Sequence, residues 1–514
     1  MNGAEGLIRT LLSGDVEVCF TNPGTSEMHI VAALDQFPEM RCILGLFEGV
    51  VTAAADGYAR MTDKPACTLL HLGPGLANGV ANLHNARRAQ VPIVNLVGQH
   101  ASYHLRHDTP LTSDIESIAR SCSTWVRTSW TASQVSCDAI DAIAAARTAP
   151  GRIATLIVPA DVAWSEGGTV AGMPLVSRPP IPANEIIEQA AKLLHSGIRT
   201  GLLLSGNALY GRGLAVAGGI AAATGAQLLA PYPFARMERG ARAPRVDRIN
   251  YAHDQAVEQL KEFRQLLLIG AVIPISYFAA PGKNAMLVSP ECRIHTLARP
   301  GEDYVGALEA LEGALSLGKT PAHSRKLQRP QVPVGQISLP GLAAAVAAHL
   351  PEGAIVVDES MTSGRGMMAA AQDGPPHDWL ANTGGSIGIA LPLAVGAAVA
   401  CPDRRILCLS ADGSGMYTAQ ALWTMAREGL KVTTVIFANR VYGVLKREFS
   451  YLGVGDPGPC ARDLFEIGRP DLDWVHLAKG MGIPGTSVSS LEDFAKALKN
   501  GFESEGPILI EVKL

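Results

Sequence analysis

Two residues with hard oxygen donors fall just beyond apolar runs: Asp412 after residues 406–409, and Asn439 after residues 432–437. If those runs are successive parallel strands joined by one helix, a right-handed crossover brings both side chains to one sheet edge. A carboxylate, an amide oxygen, the carbonyl of Val441 in the turn after Asn439, and diphosphate oxygens would complete an octahedral Mg2+ sphere that retains some water. Gly413 and Gly415 would let backbone N–H groups approach phosphate, and Ser414 could cap the next helix. An isolated Asp-Gly pair is most often a plain turn. The same position after a run is held by Asn22-Pro23-Gly24-Thr25-Ser26-Glu27, Glu48-Gly49, His71, Gly98-Gln99-His100 and Asp358-Glu359-Ser360.

These residues matter if the runs are strands of open parallel sheets, where ligands bind beyond the carboxyl ends. Residues 16–20, 42–47, 66–70 and 92–97 read as buried strands, each followed by a turn or an Ala-rich helix such as 50–60. Residues 354–357, 406–409, 432–437 and 508–512 repeat the texture, and 200–204 with 266–269 suggest a third unit. The run 42–47 is expected to be buried on both faces, which makes an acid directly after it conspicuous. Pro-rich stretches at 165–184 and 318–333 have linker composition. The expected fold is α/β, with three doubly wound parallel-sheet domains at 1–165, 183–318 and 334–514.

Composition narrows the partners. The net charge of −4 without basic clusters argues against nucleic acid and anionic membranes, leaving small molecules. Nine cysteines, odd in number and without a CxxC, fit neither a disulfide framework nor a zinc knuckle. The N-terminus lacks the basic flank and apolar core of a signal peptide, and no apolar stretch approaches the ~20 residues that span a bilayer. A cytoplasmic location is expected.

Asp412-Gly413, then 25 residues, then Asn439 and Tyr442-Gly443 resembles the cofactor signature of thiamine-diphosphate enzymes, which usually has Gly where this chain has Ala411. Asn22 to Glu27, Phe47-Glu48-Gly49, and Gly73-Pro74-Gly75 with Asn78 follow the order of the decarboxylase and oxidase group. The chain looks most similar to the benzoylformate decarboxylase type, through Leu70-His71, Asp358-Glu359-Ser360 and Ala390-Leu391-Pro392.

The resemblance implies a pyrimidine-binding, a middle and a diphosphate-binding domain, with Mg2+ and thiamine diphosphate as cofactors. Glu48 would hydrogen-bond the pyrimidine N1′ and favour the imino tautomer that removes the thiazolium C2 proton. Gly385 would accept from the amino group, and Ile387 would wedge the cofactor into its bent form. Read alone, that stretch is a helix N-terminal turn beside an ordinary core isoleucine. Asn22, Pro23 and Gly24 would line the pyrimidine side; Thr362, Gly413, Ser414 and Tyr442 would contact the diphosphate side. Asp412, Asn439 and Val441 would hold the metal. Glu48 and the metal site come from different subunits in this family, so at least a homodimer, and commonly a tetramer, is implied.

The implied reaction adds the activated cofactor to a 2-oxo acid, expels CO2 and releases an aldehyde. Thr25 and His71 would face the substrate, His71 as a proton relay. A second histidine expected on the middle-domain loop is replaced by Phe278, which points towards a different substrate or towards carboligation of the acetolactate-synthase type as the alternative. A non-catalytic relative would have lost Glu48, Asp412 or Asn439. Gly206, Gly211 and Gly213 do not spell a dinucleotide fingerprint, so FAD is not expected. His100, His104 and His107 could form a metal site, a substrate-facing loop or a solvated surface.

Overall fold

The computed structural model describes residues 1–173, 175–317 and 325–514; Pro174 and residues 318–324 of the expected linkers lie outside the described residues. In the first 165 residues the apolar runs become β1 (Val18–Asn22), β2 (Arg41–Leu44), β3 (Ala66–Leu70), β4 (Ile93–Gln99), β5 (Trp125–Thr128) and β6 (Ile153–Pro159). They form a parallel sheet in the order β2-β1-β3-β4-β6-β5. β3, β4 and β6 are buried at every position, as strands covered by helices on both faces must be. The run at 42–47 departs from expectation. Its strand ends at Leu44, lies at the sheet edge and exposes Arg41 and Cys42, because an edge strand has a covered neighbour on one side only.

The middle unit contains β7 (Thr200–Leu204), β8 (Gln227–Ala230), β9 (Arg236–Arg239), β10 (Asp247–Arg248), β11 (Gln265–Ile269) and β12 (Arg293–Ala298). Five of these form the parallel sheet β10-β8-β7-β11-β12. The exception is β9, which joins the C-terminal sheet. That sheet comprises β13 (Ala354–Glu359), β14 (His377–Ala381), β15 (Ile406–Ala411), β16 (Val432–Ala438), β17 (Gly485–Val488) and β18 (Ile508–Lys513). Its order is β17-β18-β16-β15-β13-β14-β9, all parallel except β9, which runs antiparallel to β14 with Met237 opposite Trp379.

Small residues allow the first and third units to pack closely. The Glu48–Thr62 helix lies against the Ala390–Ala400 helix, and a Cβ on Gly396 would fall 1.8 Å from the Ala54 carbonyl oxygen. Arg60 then joins all three units. It pairs with Asp56 at 2.7 Å with both side chains buried, and its Nη1 donates to the carbonyls of Ala235 and Ala381. Burial still raises the Asp56 pKa against the opposing pull of Arg60, as desolvation of a buried pair requires.

Candidate active site

Glu48 opens its helix immediately beyond the β2 turn and is 7% exposed. Asn22, at the end of β1, donates to Glu48 Oε1 at 3.2 Å, and Asn78 donates to Oε2 at 2.9 Å. Asn78 lies on the Leu72–Ala89 helix that follows β3. One amide from a strand end and one from a helix thus fix the carboxylate plane.

His71 directly follows β3 and caps the next helix, and its Nδ1 lies 2.8 Å from Glu27 Oε2. Glu27 is fully buried, accepts the Gly24 backbone N–H at 2.7 Å and has no partner for Oε1. Burial raises its pKa, with His71 pulling the other way. When Glu27 is ionised, the proton of a neutral His71 belongs on Nδ1, leaving Nε2 to exchange protons. Two glycines make the pair possible. A Cβ on Gly24 would lie 2.2 Å from the His71 ring, and one on Gly98 would lie 1.6 Å from Glu27 Oε1. Glu27 closes a quoted motif, but only the fold reveals its partnership with His71.

The turn Gly384-Gly385-Ser386-Ile387 is held from below by Glu359, at the end of β13. Glu359 accepts N–H groups from Gly388 at 3.1 Å and Ala390 at 3.2 Å, and the Asn382 amide at 3.0 Å. Burial pushes its carboxyl up to about 7, although those donors favour the charged form. Between the ordinary glutamate value and about 7 the folded chain holds a proton that the unfolded chain has lost. Stability from this group therefore falls as pH rises through that window, by about 3 kcal/mol in total. Glu359→Gln is expected to flatten that decline, and Tm measured from pH 4 to pH 8 for both proteins checks it.

At the same sheet edge, β15 pairs in parallel with both β13, Glu359 facing Ser410, and β16, Ala411 facing Phe437. Asp412 is 3% exposed; its Oδ1 accepts from Gly413 N at 2.8 Å and its Oδ2 from Arg440 N at 2.7 Å. Arg440 adopts a left-handed φ of 59°, while its guanidinium pairs with Asp471 at 2.8 Å. Burial raises the Asp412 pKa, and among the described residues no cationic side chain forms an ion pair with it. Asn439 Oδ1 accepts from Val441 N at 3.0 Å, and its Nδ2 donates to Ser363 Oγ at 3.2 Å. A buried carboxylate without an ion-pair partner among the described residues, close in the fold to an amide oxygen, is a donor set that suits Mg2+.

Ser414 is not a cap. Ala411 is the N-cap, and Ser414 is a buried residue of the short Asp412–Gly415 helix. The Tyr442 ring covers Gly413, where a Cβ would meet Cε1 at 2.6 Å; a Cβ on Gly443 would lie 2.9 Å from Thr362 Oγ1. Thr362, Gly413 and Tyr442 therefore cluster beside Asp412. On the middle unit, Phe278 is 63% exposed, and it is Tyr277 that reaches the turn: a Cβ on Gly385, at φ 80°, would lie 2.1 Å from Tyr277 Oη. Thr25 is exposed at the rim.

His100 leaves β4 with Nε2 3.2 Å from Thr109 Oγ1, while His104 and His107 are exposed and their rings lie 5.4 Å apart. Burial lowers the His100 pKa, and His104 and His71 push in the same direction. No group of three His, Cys, Asp or Glu among the described residues could hold a metal ion.

Two family models match the chain. Residues 1–118 match the model described as thiamine pyrophosphate enzyme, N-terminal TPP binding domain, and residues 363–512 match the corresponding C-terminal TPP binding domain. The chain belongs to the thiamine-diphosphate enzyme family. It is 50% identical over 515 residues, covering 100% of this chain and 99% of the relative, to a Mycobacterium tuberculosis protein provisionally named acetolactate synthase large subunit IlvX. It is 28% identical over 519 residues to benzoylformate decarboxylase of Pseudomonas aeruginosa, covering 96% and 95% of the two chains. The solved 4-hydroxybenzoylformate decarboxylase of Rhodococcus jostii RHA1 superposes with a TM-score of 0.86 at 23% identity, covering 100% of this chain and 99% of that one. That likeness shows the fold. The chain is accordingly a thiamine-diphosphate-dependent enzyme of the decarboxylase or acetolactate-synthase-like kind.

Proposed function

We propose that this enzyme decarboxylates a 2-oxo acid without oxidation and releases the aldehyde, using Mg2+ and thiamine diphosphate. The observation that carries the reading is the Glu27–His71 pair, held at 2.8 Å: a histidine with a fixed tautomer suits delivery of a proton to product carbon near neutral pH. Asp412, Asn439 and the Val441 carbonyl would hold the metal. Thr362, Gly413, Ser414 and Tyr442 would receive the diphosphate. Asn22, Pro23, Gly24, Gly385 and Ile387 would orient the pyrimidine, with Glu48 holding the proton at N1′. When bound, the cofactor supplies the carbon nucleophile and the electron sink for CO2 loss. Thr25, His71 and the Tyr277–Phe278 loop would border the substrate.

In this reading residues 1–165 bind the pyrimidine, 334–514 bind the diphosphate, and 183–318 shape the entrance. The chain works as a homodimer or a pair of dimers, each site completed by a second copy. Apolar exposure beside both half-sites supports that arrangement: Leu46 is 47% exposed next to Glu48, and Tyr417 is 54% exposed next to Asp412.

The second reading is carboligation. Tyr277 at Gly385, with exposed Phe278 beside it, leaves this wall aromatic where a second proton-relay histidine would favour aldehyde release. Incubation with Mg2+, cofactor and a panel of 2-oxo acids, measuring CO2 and identifying aldehyde or coupled product, separates the two. His71→Ala is expected to slow aldehyde release by about 10²-fold or more. Aldehyde formation at an unchanged rate would overturn the role given to His71, and coupled product alone would establish carboligation.

A further inference from the structure

Arg239 ends β9 with only 3% of its surface exposed. Among the described residues it has no carboxylate partner. Its Nη1 donates to Met237 Sδ at 3.2 Å, and its Nη2 donates to the Met368 carbonyl at 3.1 Å and to Gln372 Oε1. Its Nε is buried and has no acceptor. Because a guanidinium has only donors, that contact fixes the Gln372 amide with oxygen towards Arg239, and the Gln372 Nε2 is likewise buried without an acceptor.

Both orphan donors belong to residues lining one cleft of about 470 Å³ between the middle unit and the segment after β13. Arg248 and Arg365 line it too. The carboxylates on its walls are already engaged. Asp247 pairs with Arg245 at 3.0 Å, Asp373 pairs with Arg325 at 2.9 Å, Asp358 accepts from Ser360 N and Trp379 Nε1, and Glu359 supports the Gly388 turn. Burial lowers the Arg239 pKa to about 9, and Arg248 and Arg325 push it further down. An unpaired buried cation is strongly unfavourable, and orphan buried donors add to that cost.

We propose that this cleft is an oxyanion site, in which a phosphate group accepts from Arg239 Nε and Gln372 Nε2. The group belongs to free phosphate or to a small phosphate monoester, for which a cleft of this size has room. The site is separate from the donor set at Asp412. It borders Asp358 to Gly366, the stretch that carries Thr362 and Ser363, so an occupant braces the loop that reaches Asn439.

Thermal unfolding of the full chain, saturated with Mg2+ and thiamine diphosphate and matched in ionic strength with chloride, tests the site. Inorganic phosphate or phenyl phosphate is expected to raise Tm by about 2 °C at saturation. A shift from inorganic phosphate at the lower concentration identifies the free anion as ligand; one from phenyl phosphate identifies the ester. Arg239→Met is expected to lose the shift, with a Tm in chloride no lower than that of the parent because the unpaired charge is gone. Gln372→Leu, which leaves Arg239 in place, is expected to weaken the phosphate response about tenfold, by the loss of one charge-assisted hydrogen bond. No shift with either compound, or equal shifts in the parent and in both variants, would overturn the assignment.

Discussion

Glu48→Gln is expected to lower kcat by about 10³-fold, within the span attributed to a positioned acid or base, while thiamine diphosphate still binds. Glutamine has nearly the shape of glutamate and can keep one of the two contacts with Asn22 and Asn78 at 3.2 and 2.9 Å, so the local frame survives. What it cannot do is share a proton at the pyrimidine N1′. Cofactor affinity from quenching of intrinsic fluorescence, measured beside turnover on the best 2-oxo acid, checks the split. Turnover within tenfold of the parent would remove Glu48 from the proton path.

The second large effect concerns Asp412. Its carboxylate is 3% exposed and has only backbone donors, so Asp412→Ala should abolish Mg2+-dependent cofactor binding and with it nearly all activity. If Glu48 and Asp412 of one site come from different chains, these two inactive proteins should rescue each other. Unfolding and refolding an equimolar mixture forms mixed dimers in which one site receives both intact residues. Random pairing predicts about a quarter of parental activity. No recovery, in a mixture shown by native mass spectrometry to contain mixed dimers, would mean that each chain builds its own site.

Much of this arrangement could be read before any coordinates. The placement of Asp412 and Asn439 was legible because short apolar runs declare β15 and β16, and the residue after such a run lies at the edge where ligands bind in open parallel sheets. Glu48 was legible for the same reason, although the strand before it proved short, marginal and half exposed. β9 and β14 were not legible. Arg236, Glu238, His377 and Asp378 break their apolar pattern, and these residues are buried or half-buried through pairing across 140 residues of sequence. Glu27 stood in a quoted motif without a role, since only the approach of Gly98 and the end of β3 gives it His71. That Tyr277 rather than Phe278 lies against Gly385 was not legible, because a loop without regular structure does not declare which of two adjacent aromatics turns inwards. Arg239 sends no local signal at all: a basic residue in a short polar run reads as surface.

The crossing of β9 into the C-terminal sheet has a practical consequence for anyone dissecting the protein. A fragment beginning at the second linker would carry β14 with its outer row of N–H and C=O groups bare, an invitation to self-pairing and precipitation. The complementary fragment would release β9 as a loose tether bearing a charged, unsheltered Arg239. Limited expression of either piece should give insoluble material, whereas adding the twenty or so residues around β9 to the C-terminal piece through a short hairpin connection should restore solubility.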